Sequence, residues 1–162
     1  MRAALMTDLP YVPDELEGLP VPALFTVDEV MAREVLAVHP DTSLQTAAEL
    51  MLEHGISGMP VVDDEGQLVG MVSKTDMLRH QFEDSEVSVG TLPSGQHLLE
   101  DTIVEEVMTP QVLAVREGAS LVDAAKILVE AGLHRVPVIT RTGALAGLIS
   151  TSDIVRWVAG LP

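Results

Sequence analysis

The chain of 162 residues carries nine basic and twenty-five acidic residues, a formal charge of −16. This length is typical of one domain, and hydrophobic residues make up 47%, enough for a folded core. An acidic surface repels phosphate backbones, so we expect no nucleic-acid partner. No stretch approaches the ~18 consecutive apolar residues of a membrane span, so no membrane insertion is expected. The absence of cysteine excludes disulfides and thiolate metal sites and fits a cytoplasmic location.

The first 26 residues contain four prolines among acidic residues. Proline lacks a backbone N–H and fixes φ, so this segment is predicted to be an extended arm that packs on the core or on a partner. The first regular element follows it. The short apolar run Val35–Val38 predicts a β-strand.

A helix is predicted next, because apolar residues recur at helical spacing from Leu44 to Leu52. Either Thr42 or Ser43 can cap its N-terminus, and Gly55 is placed to end it. Two strands then follow at Met59–Val62 and Leu68–Val72, joined by an acidic turn ending in glycine. A second helix is expected from Ser73 to about Gln81. The order of elements is therefore β-α-β-β-α.

The same order recurs later in the chain. Every residue of Val27–His80 aligns without a gap on the residue 77 positions further on, and glycines, prolines and apolar positions match. Such self-similarity indicates a repeat architecture. We predict an α/β fold in which repeat 1 (27–82) and repeat 2 (103–159) bury their apolar faces against each other. The segment 83–102 is predicted to be an irregular linker.

Three sequence blocks, each present in both repeats, resemble the CBS domain, a small module named after cystathionine β-synthase. In repeat 2 they are Glu106–Pro110, Gly132–Val138 and Gly147–Asp153. In repeat 1 they are Val30–Arg33, Gly55–Val61 and Gly70–Asp76. The resemblance implies a pair of domains with pseudo-two-fold symmetry, whose clefts bind AMP, ADP, ATP or S-adenosylmethionine. It further implies a regulatory module without catalysis of its own, which usually forms a homodimer.

Two interpretations stay open for Ser73-x-x-Asp76 and Ser150-x-x-Asp153. Each is a capping box, in which serine caps a helix and an acid three residues later complements the helix dipole. A carboxylate in that place can also accept hydrogen bonds from both hydroxyls of a ribose. The resemblance favours the second interpretation, because the aspartate of the family at this position holds the ribose.

The pair His134-Arg135 is either a surface pair or a phosphate site, since a guanidinium is a good phosphate ligand. The resemblance places it at the central cleft. Repeat 1 has Ser57-Gly58 at the same position, so we expect the cleft to have one basic edge rather than two. That difference favours a mono- or diphosphate over a triphosphate and predicts that the pocket of Asp153 binds more strongly than that of Asp76.

The resemblance further implies that each pocket combines the aspartate of one repeat with strand starts of the other. The pocket of Asp153 would be formed by Ser150, Ser152, Asp153, His134, Arg135, Val35, Leu36, Ile56, Ser57 and Gly58. The pocket of Asp76 would be formed by Ser73, Thr75, Asp76, Thr109, Val112, Leu113 and Leu133. For Leu36 and Leu113, plain core packing is an equally good explanation.

The sequence thus predicts a regulatory module that binds an adenosine-containing ligand and changes conformation to control a partner protein that it does not identify. The alternative is a structural interaction module without a ligand. An enzyme is not expected, because neither a nucleophile–base set nor a metal-binding spacing is present. For the same reason no cofactor is expected to be required.

Overall fold

The computed structural model describes residues 25–83 and 101–161. The arm predicted for residues 1–26 lies outside these ranges apart from its last two residues, as does most of the linker predicted for 83–102.

Each repeat contributes two long helices and an antiparallel pair of strands. Repeat 1 has a 3-10 turn at Val27–Glu29, α1 at Leu44–Glu53, β1 at Gly58–Val62, β2 at Leu68–Ser73 and α2 at Lys74–Glu83. Repeat 2 has α3 at Val104–Val107, β3 at Thr109–Pro110, β4 at Val115–Arg116, α4 at Leu121–Glu130, β5 at Arg135–Ile139, β6 at Leu145–Ser150 and α5 at Thr151–Val158. The strands form two sheets, in the orders β1-β2-β3 and β4-β5-β6. The predicted α/β fold class is confirmed.

Local sequence signals explain where the first long helix of each repeat, α1 or α4, begins and ends. The Ser43 hydroxyl accepts a hydrogen bond from the Thr46 N–H at 3.1 Å, so Ser43, rather than Thr42, caps α1. Gly55 follows the helix with φ +63°, a left-handed conformation that glycine adopts without steric cost. Ser120 and Gly132 (φ +64°) do the same for α4.

The prediction of a strand over Val35–Val38 is wrong for its first three residues. Only Val38 pairs, donating to the carbonyl of Pro60 at 3.0 Å and accepting from the Val62 N–H at 2.9 Å. The next bond of this parallel ladder would need an N–H from Pro60, and proline has none. Pro137 is the equivalent residue beside β4, which is only two residues long.

The segment that opens each repeat packs into the core of the other repeat. Val27 and Met31 are buried with Leu121 and Ile149 of repeat 2. Val104 is buried in the core of repeat 1. The two repeats therefore share both cores, a feature that the sequence repeat alone did not predict.

Close backbone contacts hold these exchanged segments in place. Ala32 and Leu148 exchange two N–H···O bonds of 2.9 Å. A Cβ built at Gly147 would lie 2.6 Å from the Met31 Sδ and 2.8 Å from the Ala32 carbonyl oxygen. Glycine is therefore required where Met31 crosses β6. Gly70 has the same relation to Met108, with a Cβ-to-Sδ distance of 2.7 Å.

The turns before β2 and β6 also join the repeats. The Leu68 N–H donates to the Gly143 carbonyl at 3.1 Å, and the Leu145 N–H donates to the Gly66 carbonyl at 3.0 Å. The two bonds are related by the 77-residue offset, so the pseudo-two-fold axis passes between the turns.

Candidate functional site

The two aspartates proposed as ribose ligands are both part of capping boxes. One carboxylate oxygen of Asp153, Oδ2, accepts from the Ser150 N–H at 2.7 Å and from the Ser150 hydroxyl at 2.6 Å. The same oxygen of Asp76 accepts from the N–H and hydroxyl of Ser73. Each box fixes the carboxylate at the start of α5 or α2 and leaves the second oxygen, Oδ1, outside the box.

The Oδ1 atoms of the two aspartates have different surroundings. The Asp76 Oδ1 lies 3.6 Å from the Arg79 Nη1, an ion pair within α2. Among the described residues, the Asp153 Oδ1 has neither a hydrogen bond nor an ion pair. Both aspartates are half-buried. Because the Asp153 Oδ1 is not paired with an arginine within the described ranges, it is the better placed of the two to accept hydrogen bonds from hydroxyl groups.

Arg135 reaches from repeat 2 into repeat 1. Its Nη1 donates to the Gly58 carbonyl oxygen at 3.2 Å, and its Nη2 donates to the Ser57 Oγ at 3.1 Å. Arg135 is also the partner of Ser150 in the β5–β6 register. It therefore connects the start of β1 with Ser150, the residue that caps α5. Ser57, Gly58 and Ser150, three residues predicted for the Asp153 pocket, thus form one cluster around Arg135.

A pocket of about 230 Å³ lies at the other aspartate. Its lining includes Asp76 and Thr109, which the sequence placed in one pocket. It also includes Arg79, His80 and Glu106, which sequence reasoning missed. Arg79 and His80 lie three and four residues after Asp76, the helical spacing that puts side chains on one face. That spacing was the available signal.

The remaining predicted residues differ in burial. Leu36 and Ile56 pack against the core of repeat 1, whereas the Leu113 side chain is 54% exposed, so core packing explains only Leu36. Val35 and Val112 are half-buried, and Gly58 is buried. The exposed polar residues of the set are Ser57, Thr75, Thr109, His134 and Ser152.

Leu133 and His134 line a second depression of about 300 Å³, between α4 and α5. Most of its other lining residues are apolar, among them Leu128, Val129 and Val155. The lining of the pocket at Asp76 does not include Leu133, although the sequence grouped the two residues. The His134 carbonyl accepts the N–H of Thr151, the first residue of α5, at 3.0 Å.

Residues 25–83 and 101–161 contain neither a cluster of metal ligands nor a membrane-spanning helix. No group of three or more His, Asp or Glu residues in these ranges could hold a metal ion. No helix there combines the length and the apolar character needed to cross a membrane.

Comparison with known proteins identifies the family. The family model described as CBS domain matches residues 27–83 and 104–160. The chloroplastic CBS domain-containing proteins CBSX1 and CBSX2 of Arabidopsis thaliana are each 35% identical, over 85% and 82% of this chain. The crystal structure of CBSX2 in complex with AMP superposes with a TM-score of 0.70 at 34% identity, covering 84% of this chain and 97% of that one. The chain belongs to the CBS-domain family and contains a pair of these domains.

The curated relatives are longer than the match. The chain spans 65% of the length of CBSX1 and 63% of that of CBSX2. A CBS-domain pair of the protein MJ0100, in complex with 5-methylthioadenosine and S-adenosyl-L-methionine, has a TM-score of 0.66 at 22% identity, a likeness of fold.

Proposed function

We propose that this protein is a regulatory module that binds an adenosine-containing ligand between its two repeats and transmits the binding to a partner protein. The observation that carries the proposal is the cluster of Arg135, Ser150 and Asp153 beside Ser57 of the other repeat. The AMP complex of the CBSX2 structure supports the choice of ligand.

The side chains of this cluster suit a nucleotide. The free Oδ1 of Asp153 can accept hydrogen bonds from the ribose hydroxyls. Arg135 supplies a permanent positive charge and planar N–H donors for a phosphate. Because Ser57 and Gly58 stand where repeat 2 has a histidine and an arginine, this pair of positions supplies one guanidinium to the cleft rather than two. That arrangement favours AMP or ADP over ATP and favours the pocket of Asp153 over that of Asp76.

Regulation follows from binding to both repeats at once. A ligand that contacts Asp153 of one repeat and Ser57 of the other stabilises the relative orientation that fits it best. A partner that recognises this orientation is then coupled to the ligand with no catalytic step, and we assign no enzymatic activity to the pair. The proposed compartment is the cytoplasm, which fractionation of host cells would test.

The proposed assembly is a homodimer formed by the exposed faces of the long helices α1, α2, α4 and α5. Leu52 on α1 and Val129 on α4 occupy equivalent positions of the two repeats and are 71% and 80% exposed. Leu78 on α2 and Val155 on α5 are a second equivalent exposed pair, at 54% and 60%. Matching exposed apolar residues in the two repeats can be covered together by a second copy in a two-fold contact.

The alternative is a structural module that contacts partners without a ligand. A thermal-shift screen with adenosine, AMP, ADP, ATP and S-adenosylmethionine, followed by calorimetry, separates the two. We expect AMP or ADP to raise the melting temperature and GMP, the matched control, to do so less. If no adenosine compound changes the melting temperature or gives heat on mixing, the ligand-free alternative replaces the proposal.

A further inference from the structure

The side chain of Arg135 is anchored at two points outside its own repeat. The Gly58 carbonyl and the Ser57 hydroxyl each accept from a different guanidinium nitrogen, at 3.2 and 3.1 Å. Ser57 itself is fixed by its backbone, since its carbonyl accepts the N–H of Lys74 at the start of α2 at 3.0 Å. Gly58 lies opposite Ser73 in the β1–β2 register. Gly58 therefore lies in β1, and Ser57 directly precedes this strand with its backbone bonded to the start of α2.

Two anchoring bonds restrict the guanidinium without using up its donors. An arginine side chain has five N–H donors in a rigid plane, so three remain for a ligand. A free arginine loses conformational freedom when it binds an anion, and that loss weakens binding. An arginine already held in one plane loses less. The two anchoring bonds thus favour the binding of a phosphate, which bonds to the guanidinium, and matter less for a ligand without a phosphate.

We propose that Ser57 is a positioning residue, which holds the Arg135 guanidinium in the cleft and thereby gives the site its preference for phosphate-bearing over phosphate-free adenosine ligands. This inference rests on the proposed function, because it assigns a specificity to the same cleft. It gives Ser57 a role besides lining the pocket. Repeat 1 has Ser57 where repeat 2 has His134, and the hydroxyl of this serine is the acceptor for Arg135 of repeat 2.

The test measures the ratio of the affinities for AMP and adenosine, two ligands that differ only in the phosphate. Calorimetry on the full chain would compare wild type, Ser57→Ala and Ser57→Thr. We expect the ratio to fall about 3- to 10-fold in Ser57→Ala, less than the loss of a direct bond from the ligand to a charged group, because Ser57 acts only through Arg135. Ser57→Thr retains a hydroxyl and should restore most of the ratio. Ser43→Ala, which removes the cap of α1 far from Arg135, is the control for lost stability and should keep the wild-type ratio.

An unchanged ratio in Ser57→Ala overturns the inference and leaves the proposed function standing. Wild-type protein that binds neither ligand overturns both. A second measurement needs no ligand: denaturation of Ser57→Ala, Arg135→Ala and the double variant. Because both single changes remove the same bond, the double variant should lose less stability than the two single losses together. Full additivity would mean that the bond does not form in solution and would also overturn the inference.

Discussion

The guanidinium of Arg135 donates a hydrogen bond of 3.2 Å to the carbonyl oxygen of Gly58, the residue at its own position in the other repeat. The two residues are 77 apart, which is the offset of the sequence repeat. An arginine on one side of the pseudo-two-fold axis and a glycine on the other thus form one asymmetric contact between the repeats. This asymmetry decides which cleft receives the positive charge of Arg135.

Replacing Arg135 by alanine should weaken the binding of AMP. A hydrogen bond to a charged group contributes about 1.5–3 kcal/mol, so the affinity should fall roughly ten- to a hundredfold. Adenosine has no phosphate and should lose less. Calorimetry with both ligands measures the difference. Arg135→Lys keeps the charge without the planar donors and should lie between wild type and alanine. Equal losses for the two ligands would assign Arg135 a purely structural role.

Replacing Asp153 by asparagine should weaken both AMP and adenosine about tenfold or more, because the ribose is common to them. Asp76→Asn is the matched control, since it alters the equivalent capping box in repeat 1. We expect Asp76→Asn to have the smaller effect, because the Asp76 carboxylate is already paired with Arg79. Titration calorimetry on both variants checks this. A larger effect at Asp76 would move the main site to the pocket near Thr109.

Gly147→Ala should destabilise the fold by about 1–3 kcal/mol, the usual cost of forcing an atom into a packed core. The new Cβ would lie 2.8 Å from the Ala32 carbonyl oxygen, so the backbone has to move. Gly70→Ala makes the equivalent change with 3.0 Å to the Thr109 carbonyl oxygen, and should cost less. Urea denaturation of both variants gives the free energies of unfolding. If neither variant loses stability, the close approach of Met31 to Gly147 and of Met108 to Gly70 is contradicted.

Val129→Glu should convert the proposed homodimer into a monomer. The change puts a negative charge into an apolar contact, on a chain whose net charge is already −16. Light scattering coupled to size exclusion measures the mass directly. Arg141→Glu, in the exposed turn before β6, changes the charge in the same direction outside the patch and should remain dimeric. A wild-type mass of 17.3 kDa would contradict the dimer itself.

Much of the local structure could be predicted, because its causes lie within a few residues of each other. Ser43 and Gly55 bound α1, and the spacing of Ser150 and Asp153 gives a capping box as expected. The strand at Val35–Val38 was overestimated, because apolar composition does not reveal that Pro60 stands opposite it. Arg79 was missed because its role depends on the pocket that Thr109 helps to form.

The sequence by itself determined the repeat, the helix-strand-strand-helix order that both copies share and the family, since each depends on residue types at fixed spacing along the chain. Only the tertiary structure decided which parts of the two repeats combine. Val27 and Met31 complete the core of repeat 2, and Arg135 bonds to Ser57 and Gly58. Both arrangements depend on contacts between residues about 80 to 120 positions apart. The physical reason is that packing and hydrogen bonding act through space. The hydrophobic periodicity of a segment predicts its own secondary structure but not the segment against which it packs.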